Sequence, residues 1–147
     1  MRSKSLCASL LLSASFLACE GELSVPVALP VADAGFDQVL FLGGEPSVQV
    51  HLDGRASCDP TGGALTSATW TIVSAPVAPP ELSAADTLTA SFDATEPGDY
   101  QIALLVEAGD RQSDTDFLAV RVEQGNGDDI TVGPPATDAC GAPLDVE

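Results

Sequence analysis

Basic residues are scarce in this chain. Its 147 residues hold five lysines and arginines, one histidine and 22 aspartates and glutamates, a formal net charge of −17. Lys4 is the last lysine, and after Arg2 the arginines are Arg55, Arg111 and Arg121. So acidic a surface repels phosphate backbones and anionic headgroups, which excludes nucleic acid as a partner. Cations, basic partners or plain solubility remain compatible with it. The single histidine, His51, rules out a paired-histidine metal site. No nucleophile elbow and no Cys-x-x-Cys pair is present. A serine–histidine–aspartate site would have to be built around His51, which alternates to the outer side of a strand pattern, so a hydrolase is the least favoured reading. The expectation is a non-enzyme with no cofactor. Aromatics are few as well, with one Trp, one Tyr and five Phe. No apolar run is long enough to span a bilayer: Leu6–Ala18 has 13 residues, against the ~20 a spanning helix needs.

What is present begins at the N-terminus. Arg2 and Lys4 precede that apolar run, which ends Phe16-Leu17-Ala18-Cys19. A short basic start, an apolar stretch and small residues form the layout of a secretory signal. The end of the run resembles the bacterial lipobox, with Phe16 standing where Leu is usual. The resemblance implies that residues 1–18 are removed and that Cys19 carries lipid. Two or more acyl chains there suffice for stable anchoring. Glu20 is not the aspartate that retains lipoproteins at the inner membrane of some bacteria. The expected location is therefore the cell envelope, at the outer rather than the inner membrane.

Loss of the signal simplifies the cysteines. Cys7 goes with it and Cys19 is used by lipid, leaving Cys58 and Cys140, which an oxidising compartment should join. Chain-entropy arguments assign a bond closing so long a loop roughly 4.5 kcal/mol.

Residues 19–30, with Pro26 and Pro30, read as a tether. From there to Glu123 period-two alternation recurs between Gly, Pro and Asp clusters, which is the strand signature. Ser47–Asp53 directs Val48, Val50 and Leu52 one way. Thr66–Val73 does so with Ala68, Trp70 and Ile72, and Leu88–Phe92 is a shorter run. Tyr100–Val106 aligns Tyr100, Ile102, Leu104 and Val106, and Asp116–Glu123 aligns Leu118, Val120 and Val122. Helical periodicity is missing throughout. The fold class is all-β, an antiparallel β-sandwich over residues 31–123. Residues 124–147, with Gly125-Asn126-Gly127-Asp128-Asp129 and Pro134-Pro135, cannot build a core and form an irregular acidic tail. Asp53-Gly54 and Asp59-Pro60 look like turn chemistry, the aspartates bonding nearby backbone and the glycine supplying positive φ.

The strand region resembles the polycystic-kidney-disease (PKD) domain, an immunoglobulin-like sandwich. The resemblance is carried by Val31-Ala32-Asp33-Ala34-Gly35-Phe36-Asp37-Gln38, by Leu52-Asp53-Gly54-Arg55-Ala56-Ser57-Cys58-Asp59-Pro60, by Leu65 through Trp70-Thr71-Ile72-Val73, by Pro97-Gly98-Asp99-Tyr100, and by Asp114-Thr115-Asp116 leading into Leu118. Departures are Phe36 in place of Pro, Cys58, and the turn Glu107–Ser113. The fold so implied makes Trp70 a core residue and Tyr100 a tyrosine corner, with its hydroxyl on upstream backbone. It places Cys58 and the start of the domain at one pole and the end of the last strand at the other. The tail must then run back along the domain to reach Cys58, which residues 124–140 are long enough to do.

Two candidate sites follow. Asp33, Asp37, Asp53 and Asp59 could gather at one pole as weak calcium ligands, which need several converging oxygens. The strands at 66–73, 100–107 and 116–123 should share a sheet whose outer residues include Thr69, Thr71, Ala103, Leu105, Phe117 and Ala119. Ala103, Leu105, Phe117 and Ala119 form a sparsely charged candidate patch for a protein partner. The expected role is a non-catalytic, membrane-anchored interaction or structural module. The alternatives are a calcium-stabilised adhesion domain and a carbohydrate- or polymer-binding accessory module, for which Phe36, Phe41 and Phe117 are the available stacking surfaces.

Overall fold

The computed structural model describes residues 26–127 and 137–144. The expected signal peptide, Cys19, the first part of the tether and the middle of the tail lie outside the described residues. Among the described residues seven strands are formed: β1 (Gln38–Phe41), β2 (Val48–Asp53), β3 (Ser67–Ser74), β4 (Thr89–Ala94), β5 (Gly98–Ala108), β6 (Arg111–Gln112) and β7 (Asp116–Glu123). Among the described residues no helix is long and apolar enough to cross a membrane.

The strands form two sheets. The larger has the order β1-β7-β5-β3, with β6 paired to the end of β5, and the smaller is β2-β4. Register follows the apolar alternation. Val50 is opposite Phe92, Trp70 opposite Leu104, and Ile102 opposite Leu118. The inward residues Val50, Leu52, Phe92, Trp70, Tyr100, Ile102, Leu104, Val106, Leu118, Val120 and Val122 are all buried and make one core. Such side chains each contribute roughly 1.5–3 kcal/mol by leaving water. Trp70 spans the interior, and its indole N–H donates to the Thr87 carbonyl at 2.9 Å. The Tyr100 hydroxyl donates to the Glu96 carbonyl at 2.8 Å, which is the tyrosine corner expected from the sequence. Its ring lies 5.5 Å from that of Phe92, across the two sheets.

One part of the fold departs from an antiparallel sandwich. β1 pairs with β7 in parallel, Gln38 opposite Val120 and Phe41 opposite Glu123. The chain enters the sandwich alongside its own last strand, so both run the same way. The Gln38 side chain bridges to the second sheet, donating to the His51 carbonyl at 2.8 Å. The segment from Leu82 to Leu88 closes the opposite side. Trp70 N–H donates to the Ala85 carbonyl on one sheet, and Ser83 pairs with Ser91 on the other.

These connections define two poles. The β1–β2 turn lies at the far pole beside the end of β7, where Leu42 N–H donates to Glu123 and Gly43 N–H to Gly125. The tail starts here. Gly127 packs so closely on the Phe41 ring that a Cβ would come within 2.5 Å of it. The near pole collects the domain's start, the β2–β3 loop and the β5–β6 hairpin.

Candidate functional site

The near pole is built around the β2–β3 loop. Asp53 opens it with a turn, its Oδ1 accepting the Arg55 N–H at 3.1 Å. The Arg55 guanidinium donates to both Asp53 oxygens, at 2.9 and 2.7 Å. That hydrogen bonding, opposed by partial burial, holds the Asp53 carboxyl below its ordinary range. Gly54 is needed for a reason other than the expected positive φ, since it is not among the positive-φ glycines. A Cβ there would lie 2.7 Å from Leu104 Cδ2 and 3.0 Å from Trp70 Cζ2. The loop crosses directly over the core at this point, and any side chain would strike it.

The loop then binds the domain's opening. Val31 and Cys58 exchange N–H···O bonds of 2.8 and 3.0 Å. Ser57, buried, accepts the Asp33 N–H through its hydroxyl at 2.9 Å. Asp59 follows, with its side chain fully buried. Its Oδ1 accepts the Thr61 N–H at 3.0 Å and its Oδ2 the Thr61 hydroxyl at 2.8 Å. Arg111 arrives from the β5–β6 hairpin and pairs with both oxygens, at 2.9 and 2.5 Å. Chiefly the Arg111 hydrogen bonds, against the effect of burial, hold the Asp59 carboxyl far below the usual carboxylate range. Arg111 also donates to the Ala28 carbonyl at 2.8 Å. One guanidinium therefore ties the entering segment, the β2–β3 loop and a hairpin together. Nothing in the sequence singled out Arg111, although only three arginines follow Arg2.

The expected Cys58–Cys140 disulfide is formed, with the Cα atoms 6.0 Å apart. Ala139 N–H donates to the Ala56 carbonyl at 2.7 Å, and Asp138 Oδ1 accepts the N–H groups of Cys140 and Ala142 at 3.0 and 2.8 Å. The end of the tail is thus a small self-bonded turn pinned over the loop. Between them lies a cleft of about 520 Å³, lined by Pro60, Leu65, Leu88, Ala142 and the disulfide.

The four candidate calcium ligands are not brought together. Asp53 is engaged by Arg55 and Asp59 by Arg111. Asp33 Oδ1 accepts the Gly35 N–H at 2.9 Å, and Asp37 Oδ1 accepts the Ala119 N–H at 2.8 Å. Among the described residues the one acidic and sulfur group close enough to share an ion is Cys58, Asp138 and Cys140. Both of its sulfurs are committed to the disulfide.

The candidate partner patch lies on the outer face of the larger sheet. Thr71 is opposite Ala103, which is opposite Phe117, and Thr69 is opposite Leu105. Phe117 is 51 % exposed and Leu105 half-buried, while the small Ala103 is buried in the row between Thr71 and Phe117. Ala119 and both threonines are exposed. Charge is confined to the margins. At one end Arg121 Nε donates to Asp99 at 2.8 Å, and at the other Glu107 accepts from Ser67 at 2.7 Å and Gln112 at 3.1 Å. Of the three aromatics considered for stacking, Phe36 and Phe117 are exposed, whereas Phe41 is half-buried against Gly127.

No protein-family model and no curated protein sequence matches the chain. Solved structures do. The solution structure of the PKD domain from the KIAA 1837 protein is 25% identical with a TM-score of 0.55, over 69% of this chain and 92% of that one. The PKD domain of human KIAA0319 is 17% identical with a TM-score of 0.52, over 75% of this chain and 96% of that one. A nucleoside hydrolase-related hypothetical protein from Saccharophagus degradans, associated with carbohydrate metabolism, is 18% identical with a TM-score of 0.50. That match covers 65% of this chain but 25% of the other, and shows the fold alone.

Proposed function

We propose that this chain, which carries a PKD-like, immunoglobulin-like β-sandwich, is a lipid-anchored module of the bacterial envelope that binds a protein partner and performs no catalysis. PKD-like domains are generally non-catalytic interaction or adhesion modules, and the two PKD domains above share its architecture. The observation that carries the reading is the outer face of the β1-β7-β5-β3 sheet. On a chain of net charge −17 it presents an uncharged strip that includes Phe117, with charge at the margins only, where Asp99 is paired with Arg121 and Glu107 is hydrogen-bonded by Ser67 and Gln112. An acidic protein can approach a partner of any charge most readily through such a strip, because no ion need be desolvated there. Support for the anchor comes from Arg2, Lys4, the Leu6–Ala18 run and Cys19. Attachment at Cys19 places the near pole toward the membrane and leaves the sheet face and far pole open.

Capture from envelope extracts tests the reading. The mature chain should retain a discrete partner, and Leu105→Glu together with Phe117→Glu should abolish retention while the unfolding free energy stays within about 1 kcal/mol of the original. Equal capture by both forms would end it. The exposed rings of Phe36 and Phe117 offer stacking surfaces for a second reading, a carbohydrate-binding accessory module. Retardation in a polysaccharide gel, lost on Phe117→Ala, would select that reading instead.

A further inference from the structure

The entering segment carries an apolar stripe of its own. Val27 is 68%, Leu29 52% and Val31 39% exposed, and the intervening Pro30 is buried. Residues 26–29 are all exposed and Pro30 alone is buried on the domain, so the segment stands mostly in solvent where it joins the fold. This segment is not loosely attached. Arg111 holds the Ala28 carbonyl, and Val31 is bonded twice to Cys58. The Arg111–Asp59 pair and the disulfide fix the same loop from beneath. Three adjacent exposed aliphatic side chains are thereby held in place at the pole where the chain enters the domain.

From the anchoring proposed above, on which this inference rests, we infer that the Val27, Leu29 and Val31 stripe is a membrane-contact surface, seated in the headgroup region of the bilayer that holds the Cys19 lipid. The length of chain argues for it. Six residues separate Cys19 from Pro26, and at ~3.3–3.6 Å per residue the chain keeps Val27, where the stripe starts, within about 29 Å of the anchoring residue. A tether that short holds the stripe near the bilayer at an effective concentration on the order of millimolar, so weak apolar contact is enough. Charge sets the preferred lipid. With 22 acidic residues the chain is repelled by anionic headgroups, so the contact belongs to zwitterionic lipid and weakens as anionic lipid is added at low salt. The contact would hold the domain upright, near pole down, with Phe117 facing along the membrane.

The test uses the full chain purified from bacterial membranes, with acylation of Cys19 checked by intact mass. Leu29→Trp places an indole in the stripe, and Val73→Trp places one near the end of β3, toward the far pole. Both positions are exposed, so both variants should fold, and the buried Trp70 gives a common background. The proteins are reconstituted into phosphatidylcholine vesicles brominated high in the acyl chains. Quenching of the Leu29→Trp variant should exceed that of Val73→Trp by roughly twofold or more, as for a group seated at the headgroup–acyl boundary. Adding phosphatidylglycerol should reduce the difference, and salt should restore it. If vesicles float with the protein but the two variants are quenched equally, the stripe inference is overturned and the anchor stands. If no acyl chain is found and the protein does not float, the anchor reading falls and takes this inference with it.

Discussion

Arg111 grips Asp59 across 52 positions of sequence, with Nη1 2.9 Å from Oδ1 and Nη2 2.5 Å from Oδ2. The pair is two-pronged, the geometry in which arginine binds carboxylate most strongly. Arg111 also holds Ala28, and Thr61 adds two donors to the same carboxylate. The Asp59 side chain has no exposure, so removing its partner would strand a charge away from water.

Asp59 makes stability depend on acid in one direction. Its folded-state pKa is lowered from 3.8, mainly by Arg111 hydrogen bonds. A lowered carboxyl contributes stability that is complete above the unfolded pKa and lost as pH falls toward the folded value. The difference in urea midpoint between the original protein and Asp59→Asn should therefore be constant above about pH 5 and shrink below about pH 4. Arg111→Lys should also lower the midpoint, because an ammonium cannot make the two-pronged contact with Asp59. A difference that grew on acidification would contradict this account.

The disulfide fastens a tail to a sandwich whose two sheets are complete without it. Cys58→Ala with Cys140→Ala should thus lower stability by about 2–4 kcal/mol, below the loop-entropy figure, and leave the fold unchanged. Urea unfolding followed by Trp70 fluorescence would measure the first, and near-ultraviolet dichroism the second. Exchange of the Ala139 amide, which donates to Ala56, should become fast in the same variant.

Gly54 and Tyr100 separate steric from polar contributions at the two ends of the core. Gly54→Ala drives a methyl into Leu104 and Trp70, and overpacking of this kind costs about 1–3 kcal/mol. Tyr100→Phe keeps the ring against Phe92 and deletes one hydrogen bond to Glu96, at a cost of about 1 kcal/mol. Midpoints in urea at neutral pH should rank them in that order, with altered Trp70 fluorescence in the first alone.

Sequence showed the strands whose inward residues alternate without interruption. β7 has the expected bounds, and β2, β3, β4 and β5 differ by a few residues at their ends. Alternation is visible there because each strand has one dry and one wet face. β1 was not seen as a strand. It has four residues, Gln-Val-Leu-Phe, and its partner is β7, 82 positions away, in a parallel pairing that no local pattern encodes. The turn at Asp53 was legible, but the purpose of Gly54 was not, since the obstacle is the Trp70 ring arriving from another sheet. The Asp59–Arg111 pair was hidden for a related reason. With 22 acids available to three arginines, only topology decides which carboxylate is buried beside which guanidinium. The disulfide was legible because elimination left one pairing.

Calcium should leave the protein's stability unchanged. Ca²⁺ binds where six to eight oxygens converge at 2.3–2.6 Å, and extracellular modules do so with dissociation constants of roughly 10⁻⁴–10⁻³ M. Here Asp53 and Asp59 face guanidinium groups, and a cation would have to displace Arg55 or Arg111 to reach them. Asp33 and Asp37 each give an oxygen to backbone N–H groups that would lose a partner if a metal took it. The four carboxylates serve separate joints of the fold: a turn after Asp33, a bridge from Asp37 to β7, the loop entry at Asp53 and the clasp at Asp59. A site occupied at a hundredfold excess over its dissociation constant would raise stability by about 2.7 kcal/mol. Melting in ten-millimolar-range calcium and in chelator should accordingly give coincident curves, whereas an upward shift in calcium would show that these aspartates rearrange to share an ion.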